Sequence, residues 1–196
     1  MKGERCGTRE QVILAAQRLM AHKGYTAVGI NEVLTQVHVP KGSFYHYFAS
    51  KEAFGQAVMD SYFTDYLLNM DRIFAHPQAA GLRLMEYWTY WYELETGDSD
   101  APRCLAVKLG AEVADLSEPM RRSLQEGTSA IIGKIAGMIS AGIADSSVAP
   151  TFEATLIARL LYDLWLGASV RAKIDRSAAS LDNAFALTRE LLGIAA

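Results

Sequence analysis

Three observations predict an all-α chain, with an N-terminal three-helix helix-turn-helix head on an all-helical body. Apolar residues recur at helical spacing along nearly the whole length, strand-like alternation is never sustained, and a short interruption at Pro40 separates two brief helical segments. The 196 residues suffice for one large or two small domains, whose core needs no covalent staples.

Val12, Ala15, Ala16, Leu19 and Met20 keep the i, i+3, i+4, i+7, i+8 pattern of one buried stripe and define the first helix. A second runs from Asn31 to Val37 behind Gly29, with Val33, Leu34 and Val37 at helical spacing, until His38-Val39-Pro40 interrupts it. Proline fixes its own φ and disfavours helix in the residue before it, so a third helix begins at Pro40 or Lys41. It lasts about two turns before Ala49-Ser50 and is too short to be stable alone. Phe44 and Phe48, at i and i+4, anchor it inward and leave Lys41, Ser43, Tyr45, His46 and Tyr47 directed outward, with Gly42 among them. Cations, hydroxyls and flat donors suit phosphates and base edges. Ser50 reads as the N-cap of the next helix, with Lys51 in its first turn. A lysine there opposes the helix dipole unless a bound phosphate is shared by its ammonium and the free N–H groups. A tight helical corner with merely packed aromatic rings fits these residues equally well.

The block also resembles the signature of the tetracycline-repressor (TetR) family: an amphipathic first helix ending in a Gly-Tyr-Thr turn, a short second helix, a Lys-Gly-Ser/Thr-x-Tyr-x-x-Phe recognition helix and a Ser-Lys-Glu start. Gly24-Tyr25-Thr26, Lys41-Gly42-Ser43-Phe44-Tyr45-His46-Tyr47-Phe48 and Ser50-Lys51-Glu52 supply it, and the match covers residues 8 to 55. The resemblance implies a DNA-binding domain over residues 1 to 52 and an effector-sensing and dimerisation domain over 53 to 196. The expected partner is a near-palindromic double-stranded operator, met by Thr26, Lys41, Gly42, Ser43, Tyr45, His46, Tyr47 and Lys51.

Charge distribution has the sign that DNA contact requires. The whole chain carries a net −3, but residues 1 to 55 hold seven Lys/Arg against four Asp/Glu and residues 56 to 196 hold twelve against eighteen. Two distant cysteines exclude a disulfide framework and point to a reducing cytoplasm. No signal peptide is expected, because Met1 to Glu10 is polar and the first apolar segment is cut by Gln11, Gln17 and Arg18. No membrane partner is expected either, since the apolar run Leu156 to Val170 contains Arg159 and Asp163.

Breaks at His76-Pro77, Thr96 to Pro102, Ser117 to Pro119, Asp145 to Pro150 and Asp175 to Ser177 divide the remainder into about six helices. In the last two, Leu156, Leu160, Leu161, Leu164 and Trp165, then Leu181, Phe185, Leu187 and Leu191, cover more circumference than one core contact needs. A wholly buried central helix fits this; so does a second apolar face shared with a twin subunit. Homodimerisation through the last two helices is what the family resemblance implies, with recognition helices roughly 34 to 36 Å apart.

Two features suggest how an effector is sensed. Tyr87, Trp88, Tyr90, Trp91 and Tyr92 sweep about 200° of one helix surface at 100° per residue. An arc that wide is usually core, but indole N–H and phenol groups need partners when buried, and such rings can line an effector cavity. Arg83 lies toward the same side and could meet a carboxylate. Cys104 follows the capping oxygens of Asp98, Ser99 and Asp100 and the first-turn residue Pro102. A thiol at a helix N-terminus has its thiolate favoured, with Arg103 adjacent and Lys108 one turn on; a fall from about 8.5 to about 7 makes it about half thiolate at neutral pH. An inert buried cysteine is the plainer reading.

The segment from Arg103 to Arg121 and the Leu-Trp-Leu-Gly-Ala-Ser-Val-Arg-Ala-Lys stretch ending at Lys173 resemble the subgroup of that family containing the N-ethylmaleimide repressor and acrylate-responsive repressors. It implies a response to electrophiles at Cys104, with Lys173 a candidate neighbour of the sulfur. Cys6, in the basic leader, has no comparable setting. The expected function is thus a transcriptional repressor released from its operator by an electrophile or small molecule. A repressor binding a small unsaturated acid in an aromatic pocket is the alternative. A helical thiol enzyme finds little support: all four histidines precede residue 77, and no Ser-His-Asp order, metal-ligand spacing or Gly-rich phosphate loop appears. No catalytic residue, metal or cofactor is expected.

Overall fold

The structure is a computed structural model that describes residues 7–97, 104–150 and 152–194. Among these residues every regular element is a helix: α1 (Thr8–Lys23), α2 (Ile30–Gln36), α3 (Lys41–Tyr47), α4 (Lys51–Phe74), α5 (Ala80–Thr96), α6 (Leu105–Leu116), α7 (Glu118–Ala144), α8 (Ala154–Asp175) and α9 (Ala179–Leu191). Of the breaks read from the sequence, residues 76–77, 117, 145–150 and 176–177 fall between helices, while Glu118 opens α7 and Asp175 ends α8. Pro119 sits inside the first turn of α7, where its missing N–H has no intrahelical partner to lose.

The chain divides into two compact units. The first comprises α1 to α3, α4 as far as Asp65, α6, and α7 as far as Gly127. Within this unit α6 lies against α1, so the compact unit is not the continuous segment 1–52 expected for a DNA-binding domain. The stripe read from the sequence closes this core, with Val12, Ala16 and Met20 buried alongside Val33, Leu34, Phe44, Phe54, Leu109 and Val113. Gln17 donates to the Val58 carbonyl at 3.3 Å, Ser117 to Glu52, and Ser123 to Asp60, so buried polar atoms of α1, the α6 C-cap and α7 are satisfied by α4.

The second unit holds the rest of α4 and α7 together with α5, α8 and α9. Trp88, Trp91 and Trp165 form its centre with Tyr87 and Tyr162. The α7–α8 turn caps α5: Asp145 accepts from the Ala80 N–H at 2.8 Å, and Ser147 Oγ from Gly81 N–H at 2.8 Å. The Ala80 amide and the Ser147 hydroxyl hold the Asp145 carboxyl below its ordinary range. Glu153 caps α8 by accepting from Thr155 and Leu156 N–H groups, and Arg176 ends it in the left-handed region at φ 50°. By length and composition α7 is long and apolar enough to cross a membrane, whereas the Leu156–Val170 run, expected not to span one, is not among such helices. Ile131, Ile135 and Ile139 are nevertheless buried in the protein, and Lys134 pairs with Asp71.

Two glycines of α7 separate packing from propensity. A Cβ at Gly127 would lie 2.2 Å from the Phe63 ring, whereas one at Gly133 would meet nothing within 4 Å. Gly127→Ala is expected to lower stability by about 1–3 kcal/mol, and Gly133→Ala to raise it by up to about 1 kcal/mol, both read by thermal or urea unfolding.

Candidate nucleic-acid interface and sensing helix

Seven residues cannot hold a helix by backbone bonding alone, so α3 depends on its two buried rings. Phe44 is 1 % exposed and Phe48 is 4 % exposed. They meet each other at 5.2 Å between centroids and Phe54 of α4 at 5.3 and 4.7 Å. Arg9 of α1 stacks its guanidinium over Phe48 at 5.2 Å. Entry to the helix is fixed upstream, where His38 takes the left-handed conformation at φ 54° and Pro40 becomes the N-cap. With Phe44 and Phe48 turned in, Lys41, Gly42, Tyr45, His46 and Tyr47 are exposed and Ser43 is half-buried. Tyr45, at 64 % exposure, is the most prominent aromatic ring there.

Ser50 caps α4 by accepting from the Ala53 N–H at 3.0 Å. Lys51 rests its ammonium 5.0 Å from the Tyr25 ring centroid, and the Tyr25 hydroxyl donates to the Lys51 carbonyl at 3.2 Å. Burial, with Glu52 and Glu112 nearby, pushes the Tyr25 phenol up, so it keeps the proton that this bond needs. The proposed phosphate ligand Lys51 is thus held at the start of α4 by its neighbour's ring.

Thr26 is placed differently from the other expected DNA contacts. Its backbone N–H and its hydroxyl both donate to Glu112 of α6, which also accepts from the Tyr25 N–H at 3.1 Å. No sequence pattern pairs residues 86 positions apart, and Glu112 was missed for that reason.

Cys104 is the N-cap of α6, 5 % exposed, with its carbonyl accepting from the Lys108 N–H at 3.2 Å. The helix begins at Leu105, later than the start implied by a first-turn Pro102. The supports expected from Asp98, Ser99, Asp100, Pro102 and Arg103 lie outside the described residues, as does Cys6. Lys108 is exposed one turn along α6. Lys173 belongs to the second unit and pairs there with Glu95, a nearly buried carboxylate, at 3.4 Å.

Three of the aromatic residues of α5 are core, and Tyr90 and Tyr92 are half-buried. Tyr87, Trp88 and Trp91 are almost fully buried, Trp88 stacks on Trp165 at 4.9 Å, and the Tyr66 and Tyr87 hydroxyls meet at 3.1 Å. Trp91 donates to Ser169 and Trp165 to Thr188, while Trp88 Nε1 is buried with no hydrogen-bond partner. A groove of about 430 Å³ lies on another side of α5, lined by Thr89, Tyr92, Phe185 and Arg189 among others. Arg83 donates from Nη1 to the Phe74 carbonyl at 2.6 Å and so caps the C-terminus of α4, while its Nε is buried with no hydrogen-bond partner.

Residues 12–58 match the profile of bacterial regulatory proteins of the tetR family, and residues 81–188 match that of the tetracyclin repressor-like C-terminal domain. The chain belongs to the TetR family. It is 34 % identical over 186 residues to the HTH-type transcriptional repressor NemR of Escherichia coli (strain K12), covering 94 % of each chain. The transcriptional regulator AcuR of Cereibacter sphaeroides is 29 % identical, over 85 % of this chain and 76 % of that one. The crystal structure of E. coli NemR in its reduced form superposes with a TM-score of 0.90 at 35 % identity, covering 96 % of this chain and 98 % of that one. As a TetR-family member the chain is a DNA-binding transcription regulator and not an enzyme, and α2 and α3 are its helix-turn-helix.

Anchoring and exposed residues of α3 separate experimentally. Phe44→Ala is expected to cost about 3–5 kcal/mol of stability. Tyr45→Ala, which gives up little more than an edge contact with Phe44, should cost no more than about 1 kcal/mol. Equal losses in denaturant unfolding would contradict this division of roles.

Proposed function

We propose that the protein is a homodimeric transcriptional repressor that reads a near-palindromic operator through α3 and leaves it when a small electrophile adds to Cys104. The observation that carries the reading is the exposed row Lys41, Tyr45, His46 and Tyr47, held outward by Phe44 and Phe48 in a family of DNA-binding regulators. Lys41 and Lys51 supply phosphate neutralisation, and Ser43, Tyr45, His46 and Tyr47 supply hydrogen bonds and flat surface toward phosphates and base edges. Thr26, engaged by Glu112, has a supporting place next to these contacts.

Dimerisation through α8 and α9 is supported by their outer faces. Leu156, Leu160, Val170, Ile174 and Leu187 are exposed, while Ile157, Leu161, Trp165, Leu181 and Ala184 fill the core on the opposite side. A two-fold axis there would set two copies of α3 on successive major grooves, roughly 34 to 36 Å apart. This reading places the protein in the cytoplasm, with its DNA.

The trigger is assigned to Cys104, whose N-cap position sets it at the positive end of the α6 dipole. Its thiolate adds to the β-carbon of an unsaturated carbonyl compound, a C–S bond replaces the carbon–carbon π bond, and the α-carbon takes a proton from water. A thiol this buried admits a small uncharged reagent such as a quinone or N-ethylmaleimide sooner than a bulky charged one. To drive the DNA-competent state from 99:1 to 1:99 the adduct must favour the released state by about 5.5 kcal/mol.

A duplex from the DNA flanking the gene provides the test. Tyr45→Ala is expected to weaken binding by about tenfold or more, and Lys51→Ala to weaken it evenly across sequences; unchanged affinity in both would remove α3 and the α4 terminus as the reading surface. N-Ethylmaleimide should release DNA from the wild type and leave Cys104→Ser bound. Release of the serine variant by the same treatment would remove Cys104 as the trigger.

A further inference from the structure

Glu112 is engaged far more closely than a surface carboxylate needs to be. Its Oε2 accepts from the Tyr25 N–H at 3.1 Å and its Oε1 from the Thr26 N–H at 2.7 Å, with the Thr26 hydroxyl as a third donor. Both amides follow Gly24, the C-cap of α1, whose φ of 89° presents consecutive N–H groups to one anion. Gly24 is required twice over, since a Cβ there would stand 2.9 Å from Glu112 Oε2. The turn between α1 and α2 is therefore a socket, and a side chain of α6 fills it.

We infer that Glu112 is the latch by which α6 positions the DNA-reading head. The inference rests on the proposed release mechanism and supplies its missing step. Cys104 caps the same helix eight residues earlier, about 12 Å away at 1.5 Å per residue. An adduct at the N-cap that displaces or frays α6 moves the carboxylate in its socket, and the α1–α2 turn follows or lets go. Both ends of this device and the head lie in one compact unit. Charge-assisted bonds to two amides and a hydroxyl are directional and fail within a fraction of an ångström, which suits a latch better than apolar contact would. Glu112 touches no DNA in this scheme; it is a positioning residue.

Hydrogen–deuterium exchange on the full-length protein tests the latch without DNA or electrophile. In Glu112→Ala the amides of Tyr25 and Thr26 are expected to exchange about 10- to 100-fold faster. Glu112→Gln, which keeps the shape but offers one acceptor in place of two, should fall between and serves if the alanine variant does not fold. Unchanged exchange at both amides overturns the assignment. Coupling is read as the ratio of affinities for the flanking duplex before and after N-ethylmaleimide labelling. That ratio should shrink at least about tenfold in the variants while affinity before labelling stays within a few-fold of wild type. An unaltered ratio overturns the inference, and so does abolished DNA binding in a folded Glu112→Gln protein. If N-ethylmaleimide does not release the wild type, the covalent trigger fails and the coupling role of Glu112 fails with it, whereas accelerated exchange alone would leave Glu112 a structural cap.

Discussion

Burial of Phe44 and Phe48 against Phe54 is the contact on which the proposed reading surface depends. A seven-residue helix has too few backbone bonds to persist in water, so α3 exists because its rings are packed. The same packing fixes its rotation: with residues 44 and 48 inward, Tyr45, His46 and Tyr47 have no direction left but outward. Pro40 and the left-handed His38 decide where the helix begins, and Ser50 starts α4 only three residues after α3 ends. Recognition chemistry is thereby placed by apolar anchors and tight turns, with little freedom for the exposed groups to lose on meeting DNA.

The two units are held by different physics. The second is cemented by indole and phenol rings, and the buried N–H groups of Trp91 and Trp165 have matched acceptors in Ser169 and Thr188. Such a core resists small displacements, because opening a gap forfeits many close contacts at once. In the first unit an apolar core is joined by polar ties between helices: Glu112 to the α1–α2 turn, Ser117 to Glu52, and Ser123 to Asp60. Water can replace such ties when they break, so they suit parts that must change places. The proposed sensor Cys104 and the proposed reading helix α3 share that unit, which makes a short polar route between them the economical one.

Legibility in the sequence followed the range of the interactions. The helices, the stripe of α1, the inward Phe44 and Phe48 and the Ser50 cap all arise from neighbours within a turn or two, and periodicity and capping rules read them directly. The second apolar face of α8 was legible as excess circumference, and Leu156 and Leu160 do lie exposed on it. Partners distant in sequence were not legible. The bonds of Thr26 to Glu112, of Arg83 to the Phe74 carbonyl and of Lys173 to Glu95 join residues that no periodicity relates. Tyr87, Trp88 and Trp91 were ambiguous for a related reason: the number of rings on a helix does not tell whether Trp165 and Tyr162 will close over them.

The central claim, that the row on α3 and the start of α4 form a DNA-reading surface, is tested most directly by the salt dependence of binding. Affinity for the flanking duplex, followed by fluorescence anisotropy from about 50 to about 200 mM salt, should fall along a straight line in log–log form, with a slope of about −0.9 for each phosphate neutralised. Several phosphate contacts from Lys41, Lys51 and their copies in a dimer predict a steep line. A flat line, or equal slopes for the wild type and a Lys41→Ala, Lys51→Ala double variant, would contradict it.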